Sequence, residues 1–244
     1  MVELTEVVKE YRRGWTRRRD PVKALDGVTL RLLPGTATGI VGLNGAGKST
    51  LIRILLGYAR PTSGLATIDG MSPRAYVEAH GVAYVPERAT IPGGWTVRHA
   101  LGTFAMLGDG PDDPWEAVDR VLDRLGLTPL ANRPTRSLSK GNVQRVAIAQ
   151  GLLADRAIMV LDEPTDGLDP VWVAELRTIL SEWRSANPRR MIIIASHTLP
   201  EVERVADTVL LLHNGRFEGD LTGNDESRLE ERFLARVTEL PAPR

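Results

Sequence analysis

Cysteine is absent from this chain of 244 residues, and only four of its 31 basic residues are lysines. Without cysteine the chain cannot form disulfide bonds, thiolate metal sites or a cysteine nucleophile, and a reducing compartment is the simplest setting. The 31 basic residues balance 31 acidic ones, so net charge gives no sign of a nucleic-acid or acidic partner. At 42% hydrophobic residues, a mainly disordered chain is excluded.

Long hydrophobic runs are also missing. Apolar runs such as Met191–Ala195 and Val209–Leu212 have the length of a strand, far below the roughly 18 residues that a membrane-spanning helix needs. The segment Met1–Thr5 lacks the basic start and apolar middle of a secretory signal. We therefore expect that the chain does not cross a membrane itself and that any membrane role needs a partner.

Short apolar segments alternate with helical patterns along the chain. We predict strands at 28–33, 38–41, 65–69, 82–85, 158–161, 191–195 and 208–212. Continuous apolar strands separated by helices indicate a largely parallel sheet covered on both faces.

Helical spacing predominates in one internal region, where Trp115, Val118 and Leu122 recur on one face. We therefore predict an α/β domain over residues 1–222. Its core covers about 1–87 and 155–222, a helical subdomain covers about 88–154, and a short polar tail follows at 223–244.

A glycine-rich segment follows the strand predicted at 38–41. It reads Gly42-Leu43-Asn44-Gly45-Ala46-Gly47-Lys48-Ser49-Thr50 and matches G-x-x-x-x-G-K-[ST]. In such a loop, backbone N–H groups and the N-terminus of the next helix hold phosphate oxygens. Lys48 is expected to reach the β- and γ-phosphates, and Ser49 to ligate Mg²⁺. A chance glycine-rich turn is the alternative, but the required strand precedes the segment and a helical pattern follows it.

A second candidate site lies where the apolar strand at 158–161 ends in two acidic residues. Asp162 suits the magnesium shell, and Glu163 suits a general base that orients an attacking water. A pair of solvated acids at a strand end is the alternative interpretation. Because a phosphate loop needs a metal and the metal needs a carboxylate, we favour the catalytic interpretation.

Further motifs follow in a fixed order. They are Val85-Pro86-Glu87, Leu138-Ser139-Lys140-Gly141-Asn142, Asp166-Gly167-Leu168-Asp169-Pro170 and Ala195-Ser196-His197, with Lys9-Glu10-Tyr11 near the start. Together with the phosphate loop and the carboxylate strand, they resemble the motifs of ATP-binding cassette ATPases, the nucleotide-binding subunits of ABC transporters. The resemblance covers nearly the whole chain and implies the P-loop NTPase fold.

The resemblance also implies roles around the nucleotide. Tyr11 would stack on adenine, with Trp15 as the competing aromatic. Glu87 stands where the family usually has a glutamine that contacts metal and water, and a carboxylate can still ligate Mg²⁺. His197 would act as the switch histidine at the γ-phosphate.

Other motifs are implied to work across a dimer. Ser139, Gly141 and Asn142 would face the ATP of a second subunit, although Ser139 and Asn142 are also suited to cap a helix. Asp169 would couple the two sites, or serve as a turn residue before a proline. Lys140 replaces the usual glycine, and two interpretations stay open: it points to solvent, or it adds charge near the partner's phosphate.

The segment Lys9–Arg19 holds six basic residues and one acidic residue. Three interpretations are open: a solvated loop, which we favour, contact with anionic lipid headgroups, or contact with nucleic acid. The last is least favoured because no groove-entering motif accompanies the charge, and we expect no nucleic-acid partner.

The predicted protein is thus a MgATP-hydrolysing subunit that dimerises head-to-tail with itself or a similar cassette. It would drive a separately encoded transmembrane permease from the cytoplasmic, inner face of the cell membrane. The segments Gly81–Glu87 and Thr96–Leu101 are more similar to export-type relatives than to nutrient importers. A soluble mechanochemical ATPase of the same superfamily, or a cassette that signals without transport, is the alternative.

Overall fold

The structure, a computed structural model, describes residues 1–12, 21–107 and 113–221. Trp15, most of the basic run and the predicted tail lie outside these residues. The chain forms two compact units by its internal contacts. Unit 1 holds Met1–Gly81 and the chain from Met191 onward, and unit 2 holds Val82–Arg190. The subdomain boundaries near residues 88 and 154 stay a prediction.

Unit 1 combines two sets of strands with short helices. Its elements are β1 (Val2–Tyr11), β2 (Val22–Leu32), β3 (Ala37–Val41), α1 (Lys48–Leu55), β4 (Ser63–Ile68), α2 (Pro73–His80), β7 (Met191–Ser196), α7 (Leu199–Glu203), β8 (Thr208–His213) and β9 (Arg216–Asp220). Strand β3 runs parallel to β7 and to β8, and β9 is antiparallel to β8. Both β3 and β7 are buried along their whole length, as their continuous apolar sequences predict.

Strand β1 pairs antiparallel with β2 and with β4. Sequence patterns did not predict it, because its buried Val2, Leu4 and Val7 alternate irregularly with charged residues. The solvated-loop interpretation of the basic run is wrong for Lys9 and Tyr11, which belong to this strand.

Unit 2 contains mainly helices. Its elements are β5 (Ala83–Val85), α3 (Val97–Ala105), α4 (Pro114–Arg124), α5 (Lys140–Leu153), β6 (Ile158–Asp162) and α6 (Pro170–Ser185), with 3₁₀ turns at Thr128–Leu130 and Thr135–Ser137. Strands β5 and β6 are parallel. On α4, Val118 and Leu122 are buried as predicted, whereas Trp115 is 42% exposed.

The predicted fold class, α/β with mainly parallel pairing, is confirmed. In the described ranges, no helix combines the length and the apolar character that crossing a bilayer requires.

Candidate functional site

The phosphate loop leaves β3 and enters α1 in unit 1. Gly47 has φ +115°, and a Cβ there would come 2.5 Å from the Ala24 carbonyl oxygen, so only glycine fits. Lys48 begins the helix and is 8% exposed. Its Nζ donates to the Gly42 carbonyl at 2.6 Å, which keeps the ammonium at the mouth of the loop. The outer loop residues Asn44, Gly45 and Ser49 are exposed, Thr50 is half-buried and Ala46 is buried.

Backbone hydrogen bonds connect the loop to the β8–β9 turn and, through that turn, to β2. The Gly215 N–H, in the β8–β9 turn, donates to the Ala46 carbonyl at 2.8 Å, and the Asp26 N–H of β2 donates to the Gly215 carbonyl at 2.9 Å. The side chain of Asp26 accepts from Arg216 and from Lys23. These hydrogen bonds hold the pKa of the Asp26 carboxyl below its usual value. Together these hydrogen bonds hold the backbone of the loop in place.

His197 lies beside the start of the loop. Val41 and Ser196 are in register on the parallel strands β3 and β7, and the Gly42 N–H donates to the Ser196 carbonyl at 3.3 Å. Ser196 is fully buried, while His197 is exposed. Unit 1 thus brings the predicted switch histidine to the phosphate loop.

Tyr11 ends β1 opposite Val22 on β2. Two residues further along β2, Ala24 contacts Gly47. Lys9 Nζ lies 5.2 Å from the centre of the Tyr11 ring, and the Tyr11 hydroxyl is buried without a hydrogen-bond partner in the structure. The adenine contact of Tyr11 stays a prediction.

The two acids of the carboxylate strand end β6 in unit 2. Asp162 and Glu163 are each 8% exposed. Glu163 has φ +48°, a left-handed conformation that costs a residue with a side chain roughly 1–2 kcal/mol. Glu6, Asp69, Asp155 and Asn214 adopt the same conformation, with φ from +43° to +48°, so burial and sequence context rather than strain distinguish Glu163. Glu87 follows β5, whose Val85 is in register with Leu161 on β6, so Glu87 and Asp162 leave the same edge of this strand pair.

The predicted signature segment is the N-terminus of α5. The helix begins at Lys140, and of the two predicted caps Ser139 takes the role, because its Oγ accepts from the Asn142 N–H at 3.3 Å. Asn142 lies in the first turn, where its Oδ1 accepts from Arg145 at 3.1 Å. Gly141 packs against the carbonyl of Gly167.

Two residues of this region have partners that sequence patterns did not reveal. Lys140 forms an ion pair with Asp166, with 2.6 Å between Nζ and Oδ1, a contact that neither earlier interpretation included. Asp169 is the N-cap of α6, and its Oδ1 accepts from the Val171 and Trp172 N–H groups at 3.0 Å each.

Arg145 is a structural residue of the site that sequence reasoning missed. Its guanidinium stacks on the Trp172 ring at 3.5 Å, and its Nε donates to the Leu125 carbonyl at the end of α4 at 3.0 Å. Burial lowers the pKa of Arg145, yet an arginine stays charged at neutral pH. It joins α4, α5 and α6 around the signature turn.

The donors available for a magnesium ion are oxygens. Unit 1 offers the hydroxyl of Ser49, and unit 2 offers the carboxylates of Asp162 and Glu87. Both are groups of the kind that Mg²⁺ prefers. Among the described residues no cluster of three or more metal-ligating side chains occurs, and the magnesium site stays a prediction.

Known proteins share this sequence and fold. The sequence model of the ABC transporter family matches residues 25–166, more than half of the chain. The ABC transporter ATP-binding/permease protein Rv1747 of Mycobacterium tuberculosis is 36% identical over 207 residues, covering 82% of this chain and 24% of that protein. The nickel import ATP-binding protein NikO of Rhodobacter capsulatus is 35% identical over 209 residues, which cover 80% of this chain and 82% of NikO.

A solved structure shows the same fold. It is a dimeric, post-hydrolysis state of an ATP-binding cassette bound to ADP and Pi, with a TM-score of 0.80, 23% identity, and coverage of 90% of this chain and 97% of that chain. The present chain spans only about a quarter of Rv1747 but most of NikO. The chain belongs to the ABC transporter family and is an ATP-binding cassette, the nucleotide-binding domain that hydrolyses ATP.

Proposed function

We propose that this chain is the MgATP-hydrolysing subunit of a transporter and that it drives a separate transmembrane permease, in the direction of export. The observation that carries the proposal is the pair of motifs on strand ends: a buried Lys48 at the mouth of a phosphate loop, and the strained, buried Glu163 after β6.

The loop binds the triphosphate. The N–H groups of Gly42 and Ala46 already donate to the carbonyls of Ser196 and Leu43, so the remaining N–H groups of the loop and the N-terminus of α1 hold the phosphate oxygens. Lys48 neutralises the β- and γ-phosphates. Tyr11 stacks on the adenine ring. Ser49, Asp162 and Glu87 would supply oxygen ligands to Mg²⁺, and the ion when bound would neutralise charge that develops on the phosphates.

Hydrolysis uses water. Glu163 accepts a proton as the water oxygen bonds to the γ-phosphorus and the bond to the β–γ bridging oxygen breaks, which yields ADP and phosphate. His197, beside the loop, donates a hydrogen bond to the edge of the γ-phosphate. This contact exists only while the γ-phosphate is bound. These roles require a carboxylate kept in one orientation, and the turn after β6 supplies one.

A second cassette completes each site. Ser139, Gly141 and Asn142 form the first turn of α5, whose N–H groups favour an anion, and they would contact the nucleotide of that second subunit. Asp169 lies close in sequence to Glu163 and couples the two sites. The fold neighbour bound to ADP and Pi is dimeric, which supports a head-to-tail pair of this chain or of this chain with a similar one.

The cassette lies on the cytoplasmic face of the membrane, where its helical subdomain contacts the transmembrane permease. Rv1747 is named both ATP-binding and permease, which supports a link of such cassettes to a permease. The export direction rests on the similarity of Gly81–Glu87, Thr96–Leu101 and the Leu-Ser-Lys-Gly-Asn signature to export-type cassettes. NikO is named an importer, so the direction needs its own transport assay.

The experiment that tests the partner is affinity purification of Glu163→Gln with MgATP from membranes in mild detergent. We expect one polytopic membrane protein in stoichiometric amount, because arrested hydrolysis keeps the assembly closed. Lys48→Ala, which cannot hold the triphosphate, serves as the matched control. Recovery of ribosomes, of DNA-associated factors or of a dimer alone would contradict the transporter proposal.

A further inference from the structure

Lys140 is placed where local physics disfavours a cation. It is the first residue of α5, directly after the Ser139 cap, and the positive end of the helix dipole repels a positive charge there. Lysine is also scarce in this chain, with four lysines among 31 basic residues. A tertiary contact of Lys140 can offset this repulsion.

That contact is the turn that follows Glu163. Lys140 Nζ lies 2.6 Å from Asp166 Oδ1. The lysine stem lies over Gly167, since a Cβ on Gly167 would come 2.9 Å from both Cγ and Cδ of Lys140. The two side chains are 67% and 41% exposed. Ion pairs as exposed as this one contribute little to global stability, so an effect of the pair has to be sought in the geometry of the turn that it contacts.

The same turn is attached to Glu163. The Asp166 N–H donates to the Glu163 carbonyl at 3.2 Å. A second tether from α5 reaches the turn, where Gln144 Nε2 donates to the buried Pro164 carbonyl at 3.2 Å. Helix α5 therefore holds both ends of the segment 164–166, and this segment fixes the backbone of the left-handed Glu163.

We propose that the Lys140–Asp166 ion pair is a positioning device for Glu163, so that the rate of ATP hydrolysis depends on the pair although neither side chain reacts. This inference rests on the proposed role of Glu163 as general base. Displacing a catalytic group by about 1 Å costs up to 10²-fold in rate. Because Gln144 still holds the turn, the loss of one tether should cost less.

The test is steady-state hydrolysis of MgATP by the full chain. Lys140→Gln and Asp166→Asn should each lower kcat about 3–10-fold with KM for ATP unchanged, because the nucleotide contacts remain. Lys140→Arg, which keeps the charge, should retain kcat within about two-fold. Arg74→Gln removes a pair of similar exposure, Arg74–Glu78 on α2, and should leave kcat unchanged.

The reciprocal variant Lys140→Asp with Asp166→Lys should recover most of the lost kcat. Wild-type kcat in both single variants, or a change confined to KM, overturns the inference. Equal losses of kcat for Lys140→Arg and Lys140→Gln also overturn the inference. If the reciprocal variant does not fold, the comparison of these two variants is the deciding test. Glu163→Gln is measured in parallel: if it turns over like the wild type, the base assignment itself fails, whereas loss there with intact single variants refutes only the ion pair.

Discussion

Lys48 belongs to the most specific motif of the sequence, the phosphate loop, and is the first residue of α1. Its ammonium is almost fully buried yet bonded to the carbonyl of Gly42, and a buried charge needs such a partner. The loop is thus prepared for a ligand that carries negative charge.

We predict that Lys48→Ala lowers ATP affinity at least about 100-fold, because the contact to the β- and γ-phosphates is lost. Titration with a fluorescent ATP analogue measures this. Arg53→Ala changes an exposed residue on the same helix and should bind as the wild type. Retained micromolar affinity in Lys48→Ala would count against the phosphate-loop assignment.

Sequence motifs predict which residues form the site, but not the local geometry of those residues. The spacing of glycines before Lys48 and the acids after an apolar strand indicated the chemistry. The positive φ of Glu163 and the stacking of Arg145 on Trp172 depend on contacts between residues far apart in the chain. No periodicity encodes such contacts.

At the scale of elements, the phosphate loop depends on β2 and on the β8–β9 turn. Asp26 links them through its hydrogen bonds with Arg216 and Lys23, and these bonds lower its pKa. Since the carboxylate is favoured in the folded state, the stability it provides is present above its unfolded pKa and is lost as the pH falls through the folded one.

Asp26→Asn should therefore reduce the free energy of unfolding at pH 7 by about 0.5–1 kcal/mol, a small effect because the ion pair lies near solvent. The difference from the wild type should vanish at a pH below the lowered pKa of the wild-type carboxyl, where that carboxyl is itself protonated. Urea unfolding at both pH values measures it, with Asp123→Asn, an exposed residue of α4, as control. An equal loss at both pH values would show that charge is not involved.

Sequence patterns predicted the strands that are buried on both faces of the sheet. Strands β3, β6 and β7 are buried throughout, and their continuous apolar sequences indicated them. Strand β1 was missed because its pattern is broken by register shifts in its pairing with β2, and such a strand does not show a simple alternation. For α5, Ser139 and Asn142 are both suited to cap the helix by sequence, and only the hydrogen bond from the Asn142 N–H to the Ser139 Oγ decides between them.

At the scale of the whole molecule, each unit carries part of the chemistry. Unit 1 holds the phosphate loop, Tyr11 and His197, and unit 2 holds Glu87, Asp162, Glu163 and the signature turn. ABC cassettes hydrolyse ATP, and in this chain we assign the activation of the attacking water to one residue, Glu163.

The most direct measurement is therefore MgATP turnover by Glu163→Gln beside its ATP affinity and its oligomeric state. The account predicts ATP binding like that of the wild type, an ATP-dependent dimer, and turnover reduced at least about 100-fold, since the amide cannot accept the proton from water. Turnover within a few-fold of the wild type, with the same ATP affinity, would contradict the assignment of Glu163 as the general base.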